Sequence, residues 1–403
     1  MPGYQCANFW PFIINAPLWL TQVVLVVYGE NITFNQRLIP GFSVMAVTML
    51  IIPILCKVGG STGFYTTDLV LIILGFASGA CQGTCYQMAA AFPPEYMSAV
   101  MFGNGISGFG SNLLRIATIL IWDQDYEKNQ FIAALALYIF SFFVLAGCAV
   151  AQVCLNKNAY AIYNLNKIGR KNSASNTAED VMEETGMISG QAATNASALT
   201  SRQSAVENKK SLSKYFKQAM VNFKMTDGLL WALMYVFVLT FICYPGLASD
   251  DTINFLKSSI DTSSKYNSWH IIFIQLIFNL TDTVGRYSGG VSCLMLSNMV
   301  IKLFASARTL FFVTFCLISF DVSPFFGYDW FIILNLILFS ITNGYVSTLC
   351  AVKAPMSVEG EAKGQVGGFV GITISTGIVL GSMLAFAVTY LIEASPEYKN
   401  SQE

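Results

Sequence analysis

Long apolar runs separated by short polar intervals organise the chain. A membrane-spanning helix needs about 20 mainly apolar residues at about 1.5 Å each. Ten stretches qualify, at roughly 9–28, 38–56, 65–91, 99–122, 131–155, 228–247, 269–290, 303–320, 329–350 and 364–392. The one long polar interval, 156–226, has five of these on either side. The pattern therefore predicts an all-α polytopic membrane protein with about ten transmembrane helices in two halves. Its parts are an N-terminal membrane half, 1–155, a connector, 156–226, and a C-terminal membrane half, 227–403. Within the connector, residues 171–208 are rich in Ser, Asn, Ala, Thr and Glu and lack aromatics, so disorder is expected there. Leu212, Tyr215, Phe216, Met220 and Phe223 then recur at helical spacing among lysines. That end reads either as an interfacial helix on an anionic leaflet or as a solvated basic linker.

Polar residues inside the apolar runs carry the functional information. Asp282 is the only acidic residue well inside any predicted span; Asp68 and Asp329 sit at span ends. An ionised Asp near a bilayer centre costs about 2.5–3.5 kcal/mol, so it needs a partner and marks a candidate site. At helical periodicity Gln275, Asn279, Asp282 and Arg286 share one face, while Phe273, Ile277, Leu280 and Val284 occupy the other. Arg286, one turn on, is the expected cation for Asp282, as a structural pair or as part of a site. Arg115 is a further embedded cation, and Arg308, near the start of its span, reads as a snorkelling anchor or a cavity residue. Gln82 lies among small neighbours on the third span. Asn104 and Asn112 on the fourth and Asn343 on the ninth are weaker candidates of the same kind, either interhelical glue or ligand contacts. His270, beside Trp269, reads as an interfacial residue.

Gly75, Gly79 and Gly83 form a GxxxGxxxG stripe, and Gly364/Gly368, Gly367/Gly371 and Gly377/Gly381 repeat the spacing, which predicts close helix contacts. Pro245 predicts a kink late in the sixth span.

The composition, 54% hydrophobic and 11% charged, supports the membrane assignment, since ordinary soluble domains carry about 25% charge. Net charge is −1, yet Lys and Arg concentrate on one side of the membrane when loops are assigned alternately. The positive-inside rule then places the connector in the cytosol and both termini on the exoplasmic side, with the plasma membrane the expected location. No cleavable leader is expected at Met1. The sequons at Asn31 and Asn195 fall on the cytosolic side and are expected to stay unmodified. Ten cysteines lie mostly in apolar spans, with no CxxC and a single histidine in the chain, so they read as small core residues. GxSxG, HExxH and Walker motifs are lacking, and an enzyme, a cofactor, a metal site or a nucleic-acid partner is not expected. Buried amide and guanidinium groups spread over several helices suit a small polar solute bound at mid-membrane.

Four motifs in order carry a resemblance to the equilibrative nucleoside transporter family. GFASGACQGTCYQMAAAFPPEYMSAVMFGNGISG, Gly75 to Gly108, resembles the family's fourth and fifth helices, with Gln82-Gly83 and Phe92-Pro93. Tyr244-Pro245 resembles its seventh-helix aromatic-Pro. Phe278-Asn279, Asp282 and Gly285-Arg286 resemble its eighth-helix FNxxDxxGR signature, and Phe339 to Cys350 its tenth-helix SNGY segment. The resemblance implies a fold similar to the major facilitator superfamily, eleven helices in the family, and facilitated movement of nucleosides by alternating access. Nucleobase or proton-coupled transport is the alternative, with Asp282 the only acid placed to carry a proton. It further implies that Gln82 contacts the base and that Asp282 with Arg286 engages the ribose hydroxyls or orders the cavity. Asn279 belongs to the same expected set; Arg115, Asn104, Gln275, Asn343 and Arg308 are expected coupling or cavity residues. The first span here aligns with the family's second helix, so an upstream helix is expected beyond this sequence. A reading from another class is a shortened membrane protein that does not transport. Oligomeric state stays open.

Overall fold

A computed structural model describes residues 6–29, 32–58, 60–122, 127–165, 217–244, 269–320, 322–360 and 362–394. Its helices are α1 (Cys6–Tyr28), α2 (Phe34–Cys56), α3 (Gly60–Ala91), α4 (Pro94–Ile121), α5 (Glu127–Leu155), α6 (Leu229–Ile242), α7 (Trp269–Gly290), α8 (Asn298–Ala307), α9 (Thr309–Ser319), α10 (Asp329–Met356) and α11 (Ala362–Ala394). Each of the ten predicted spans is helical over its described residues, the eighth as the pair α8 and α9. By length and composition six helical spans, or seven if a bent pair counts as one, could cross a membrane. The helices α4 and α7 are long enough but fall outside that set, because polar residues dilute them.

Local chemistry sets the boundaries. A capping box starts α2: Thr33 Oγ1 accepts from Gln36 N–H at 3.4 Å while Gln36 Oε1 accepts from Thr33 N–H at 3.1 Å. Pro94 in the first turn of α4 gives up an N–H that would have had no helical partner. Asp227 (φ 50°) and Gly228 (φ 74°) turn the chain left-handed into α6, and a short helix, Lys217–Met225, meets α6 at 79°. The helix widens over Cys243 and Tyr244; Pro245, where the kink is expected, lies outside the described residues. So do residues 171–208, Leu212, Tyr215, Phe216, Asn31, Asn195 and the side chain of His270.

Within the first half α1 packs on α3, α2 on α3 and α5; within the second α7 packs on α10 and α11 on α6. The halves meet through α4 against α7 and α10, and through α11 against α3 and α1. The glycine spacings mark these contacts. A Cβ on Gly79 would strike the backbone of Leu18 in α1, one on Gly367 the Tyr86 carbonyl in α3, and one on Gly377 Phe237 in α6. Helix α11 thus presents Gly364/Gly368 and Gly367/Gly371 to the first half and Gly377/Gly381 to α6 of the second. The main core, around Leu233, Met101, Leu349 and Val370, fills the space where α3, α4, α6, α10 and α11 converge.

Candidate functional site

The site is built on the crossing of α7 and α10. Gly285 and Gly344 face each other's helix so closely that a Cβ on Gly344 would fall on the Asp282 carbonyl and one on Gly285 on that of Ile341. Only Gly permits this approach, and it carries Asn343 to the Asp282 carboxylate. Asn343 Nδ2 donates to Asp282 Oδ1 at 2.7 Å, and Arg286 Nε donates to Oδ2 at 2.6 Å. Asp282 and Arg286 are 4% and 7% exposed. Both carboxylate oxygens keep lone pairs beyond these bonds. Thr281 and Ser340 share a further hydrogen bond across the same helices.

The network continues inward. Asn343 Oδ1 accepts from Thr240 Oγ1 at 2.7 Å, and Arg308 donates to Thr240 Oγ1 at 3.0 Å, to Thr342 Oγ1 at 2.6 Å and to the Phe339 carbonyl at 2.7 Å. The Arg308 guanidinium also stacks over the Phe339 ring, 4.7 Å from its centroid. Snorkelling is therefore wrong for Arg308, which is 1% exposed. The span begins at Asn298 rather than near 303, so Arg308 falls at its middle, between α8 and α9, and turns inward.

Across the halves, α4 runs along the polar face of α7. Arg286 reaches the Met101 carbonyl at 3.5 Å, and Gly105 and Gly108 admit Thr283 and Asn279. Asn104 donates to the Tyr86 hydroxyl at 2.7 Å, and Gln82 lies beside that hydroxyl. Gln82 Oε1 accepts from Gln22 Nε2 at 2.9 Å, and Gln22 Oε1 accepts from Ser375 Oγ at 2.7 Å. Gln22 thus partly fills the room that the small neighbours of Gln82 leave. The structure therefore gathers Asp282, Arg286, Asn343 and Arg308 into one network and Gln82 with Asn104 around Tyr86. The side chains of Asn279, Gln275 and Arg115 make no hydrogen bond among the described residues, and the Asn112 amide nitrogen is buried without a partner. Asn104, Ser107 and Ser111 are exposed on α4.

Sequence reasoning passed over Gln22, Tyr86 and Thr240. For Gln22 the signal was available, an amide inside an apolar span, the same that singled out Gln82. Tyr86 and Thr240 give no such signal, since both residue types are ordinary in apolar helices.

The tertiary arrangement resembles known transporters of the major facilitator superfamily. The proton:xylose symporter XylE, bound to 6-bromo-6-deoxy-D-glucose, superposes with a TM-score of 0.60 at 9% identity, covering 96% of this chain and 80% of that one. FucP in its outward conformation gives 0.52 at 11% identity, covering 97% and 90%. Among curated proteins, Equilibrative nucleotide transporter 4 of Arabidopsis thaliana is 22% identical over 96% of this chain and 86% of its own length. Nucleoside transporter 1.2 of Leishmania donovani is 23% identical (94% and 83%). Equilibrative nucleoside transporter 1 of Homo sapiens is 22% identical (92% and 79%). The Nucleoside transporter family matches over residues 69–390, most of the chain and all four motifs. With a fold of the major facilitator kind and helices long and apolar enough to span a bilayer, this multi-pass membrane protein belongs to the nucleoside transporter family.

Proposed function

We propose that the chain moves nucleosides across a membrane by alternating access between its two halves. The observation that carries this reading is the buried Asp282–Arg286 pair, poised at the contact between the halves in a member of this family. Asp282 accepts from the ribose hydroxyls with the lone pairs that Arg286 and Asn343 leave free. Arg286 donates with the N–H groups not spent on Asp282 and Met101. Gln82 meets the base, and Asn279, unpartnered on the same face of α7, adds an amide. A neutral sugar–base solute leaves water only if its donors and acceptors are paired, which this set does. The exposed amide of Asn104 would be costly against lipid, and exposed Ser107 and Ser111 continue its face of α4, so this face lines a wet passage beside α7. Gln275 and Arg115 lie along the same passage. Asn343 and Arg308 act from behind, on Asp282.

The halves are residues 1–155 and 227–403, with 156–226 a cytosolic connector and the C-terminus exoplasmic in the plasma membrane. Nucleobase transport, and proton coupling through Asp282, are finer versions of the same reading.

The test is uptake of radiolabelled adenosine, inosine and hypoxanthine in a transport-deficient host. The intact chain should take up at least one ribonucleoside, and Asp282→Ala and Arg286→Ala should each abolish uptake at normal surface level. Near-normal uptake in both variants would remove the site; no uptake by the intact chain would favour the non-transporting reading.

A further inference from the structure

Gln22 is a fully buried amide on α1, 1% exposed, that belongs to no motif of the family resemblance. Its place is made by two glycines on two other helices. A Cβ on Gly83 of α3 would come within 3.2 Å of its Cγ, a tight approach, and one on Gly371 of α11 would rest 3.7 Å from its amide carbon, in ordinary contact. In that slot Gln22 uses both ends. Its Nε2 donates to Gln82 Oε1 at 2.9 Å, and its Oε1 accepts from Ser375 Oγ at 2.7 Å. Ser375 is itself buried and belongs to the opposite half.

We propose that Gln22 is a positioning residue for solute selection: it holds the carbonyl oxygen of Gln82 and so fixes the amide's orientation, turning its N–H donors to the solute, and ties that orientation to α11 through Ser375. An unrestrained glutamine can rotate its amide and meet either a donor or an acceptor. Held by Gln22, Gln82 discriminates, and the edge it favours is a ring nitrogen or carbonyl of the base. The inference rests on the reading of Gln82 as a solute contact.

The experiment measures KM and maximal uptake for adenosine, 3-deazaadenosine and 7-deazaadenosine in the intact chain, Gln22→Met and Ser375→Ala, each normalised to surface level. The two analogues replace a ring acceptor by C–H and would strand a buried donor. In the intact chain at least one should show a KM raised about tenfold or more over adenosine. In Gln22→Met that ratio should collapse to about twofold or less while maximal uptake of adenosine stays within about twofold. Ser375→Ala, a small change that threatens folding less, should shift the ratio in the same direction. The double variant should go no further than Gln22→Met alone, because both act on one amide. A ratio unchanged in Gln22→Met and in Ser375→Ala overturns the proposal, as does a fall in maximal uptake shared by all three solutes, which a structural role gives. Absence of adenosine uptake by the intact chain overturns the nucleoside reading and this one with it; uptake with an unaltered ratio overturns this one alone.

Discussion

Asn343→Leu keeps nearly the same side-chain volume and removes the group that holds the inner oxygen of Asp282. Three bonds disappear: Nδ2 to Asp282 Oδ1 at 2.7 Å, Thr240 Oγ1 to Asn343 Oδ1 at 2.7 Å, and the long one from Arg308 to Asn343 Oδ1 at 3.5 Å. The first involves a charged group and is worth about 1.5–3 kcal/mol; the second is neutral and worth about 0.5–1.5 kcal/mol. Arg286 still holds Oδ2 at 2.6 Å, so the carboxylate stays in place but gains freedom to rotate. If the orientation of Asp282 serves ribose recognition, the loss on the carboxylate appears as a KM for adenosine raised about 10- to 150-fold. The KM for 2′,3′-dideoxyadenosine, which lacks both hydroxyls, should stay within about twofold. Thr240→Val breaks the outer bond and removes an acceptor of Arg308 but leaves both bonds on the Asp282 carboxylate, so it should raise the adenosine KM less than about fivefold, from about 1 kcal/mol. The assay is initial-rate uptake over a concentration series, with surface biotinylation to normalise. An unchanged adenosine KM in Asn343→Leu at normal surface level would refute the orientation argument, and so would a parallel rise for the dideoxy solute.

Two further outcomes follow from packing and charge. Gly344→Ala drives a Cβ into the Asp282 carbonyl, a backbone atom that cannot swing away, so overpacking should cost about 1–3 kcal/mol or more; Gly110→Ala, facing open space, should be neutral or stabilising by up to about 1 kcal/mol. Thermal unfolding in detergent compares them, and equal melting temperatures would refute the backbone-contact account. At the foot of α6, hydrogen bonds from Lys302 and Asn298 hold the Asp227 carboxyl below its ordinary value of 3.8. A depressed carboxyl stabilises the fold above its unfolded pKa and loses that contribution as pH falls through the folded value. Lys302→Met should therefore lower the melting temperature at neutral pH, by an amount that shrinks with added salt and falls in strong acid to the part carried by the Lys302 bond to the Asp227 carbonyl; a deficit independent of pH would refute the pairing.

The main features of the fold were legible because lipid leaves a spanning backbone only the helix or the closed barrel, and apolar runs of about 20 residues select the helix. Asp282 and Arg286 were legible as a pair because four residues along a helix is one turn, so sequence spacing alone brings them together. Asn343 was visible as a polar group in an apolar run, but its contact with Asp282 depends on Gly285 and Gly344 meeting across two helices. Spacing says nothing about that meeting. Arg308 failed for a boundary reason. With the span read from 303, the residue lies close to its end; once Asn298-Met299-Val300-Ile301 joins the helix, it lies mid-span and must be satisfied from within. Gln22 asked for a three-body contact among α1, α3 and α11, which no single helix face encodes.

The groups proposed to meet the solute also hold the halves together. Arg286 lies on the face toward α4 and reaches the Met101 carbonyl, while Gln82 is bound through Gln22 to Ser375 of the opposite half. A solute shifts the balance between two arrangements only by binding one more tightly than the other. Here the difference has a structural source. A solute that draws a donor of Arg286 away from Met101 weakens one bridge between the halves, and one that leaves Gln82 with its acceptor on Gln22 preserves the other. The long 3.5 Å bond from Arg286 is the weaker of the two and is the one that yields. The α4–α7 contact should therefore open first and the α3–α11 contact serve as the pivot, which places the moving seam along the two helices whose polar residues set them apart from the other long spans.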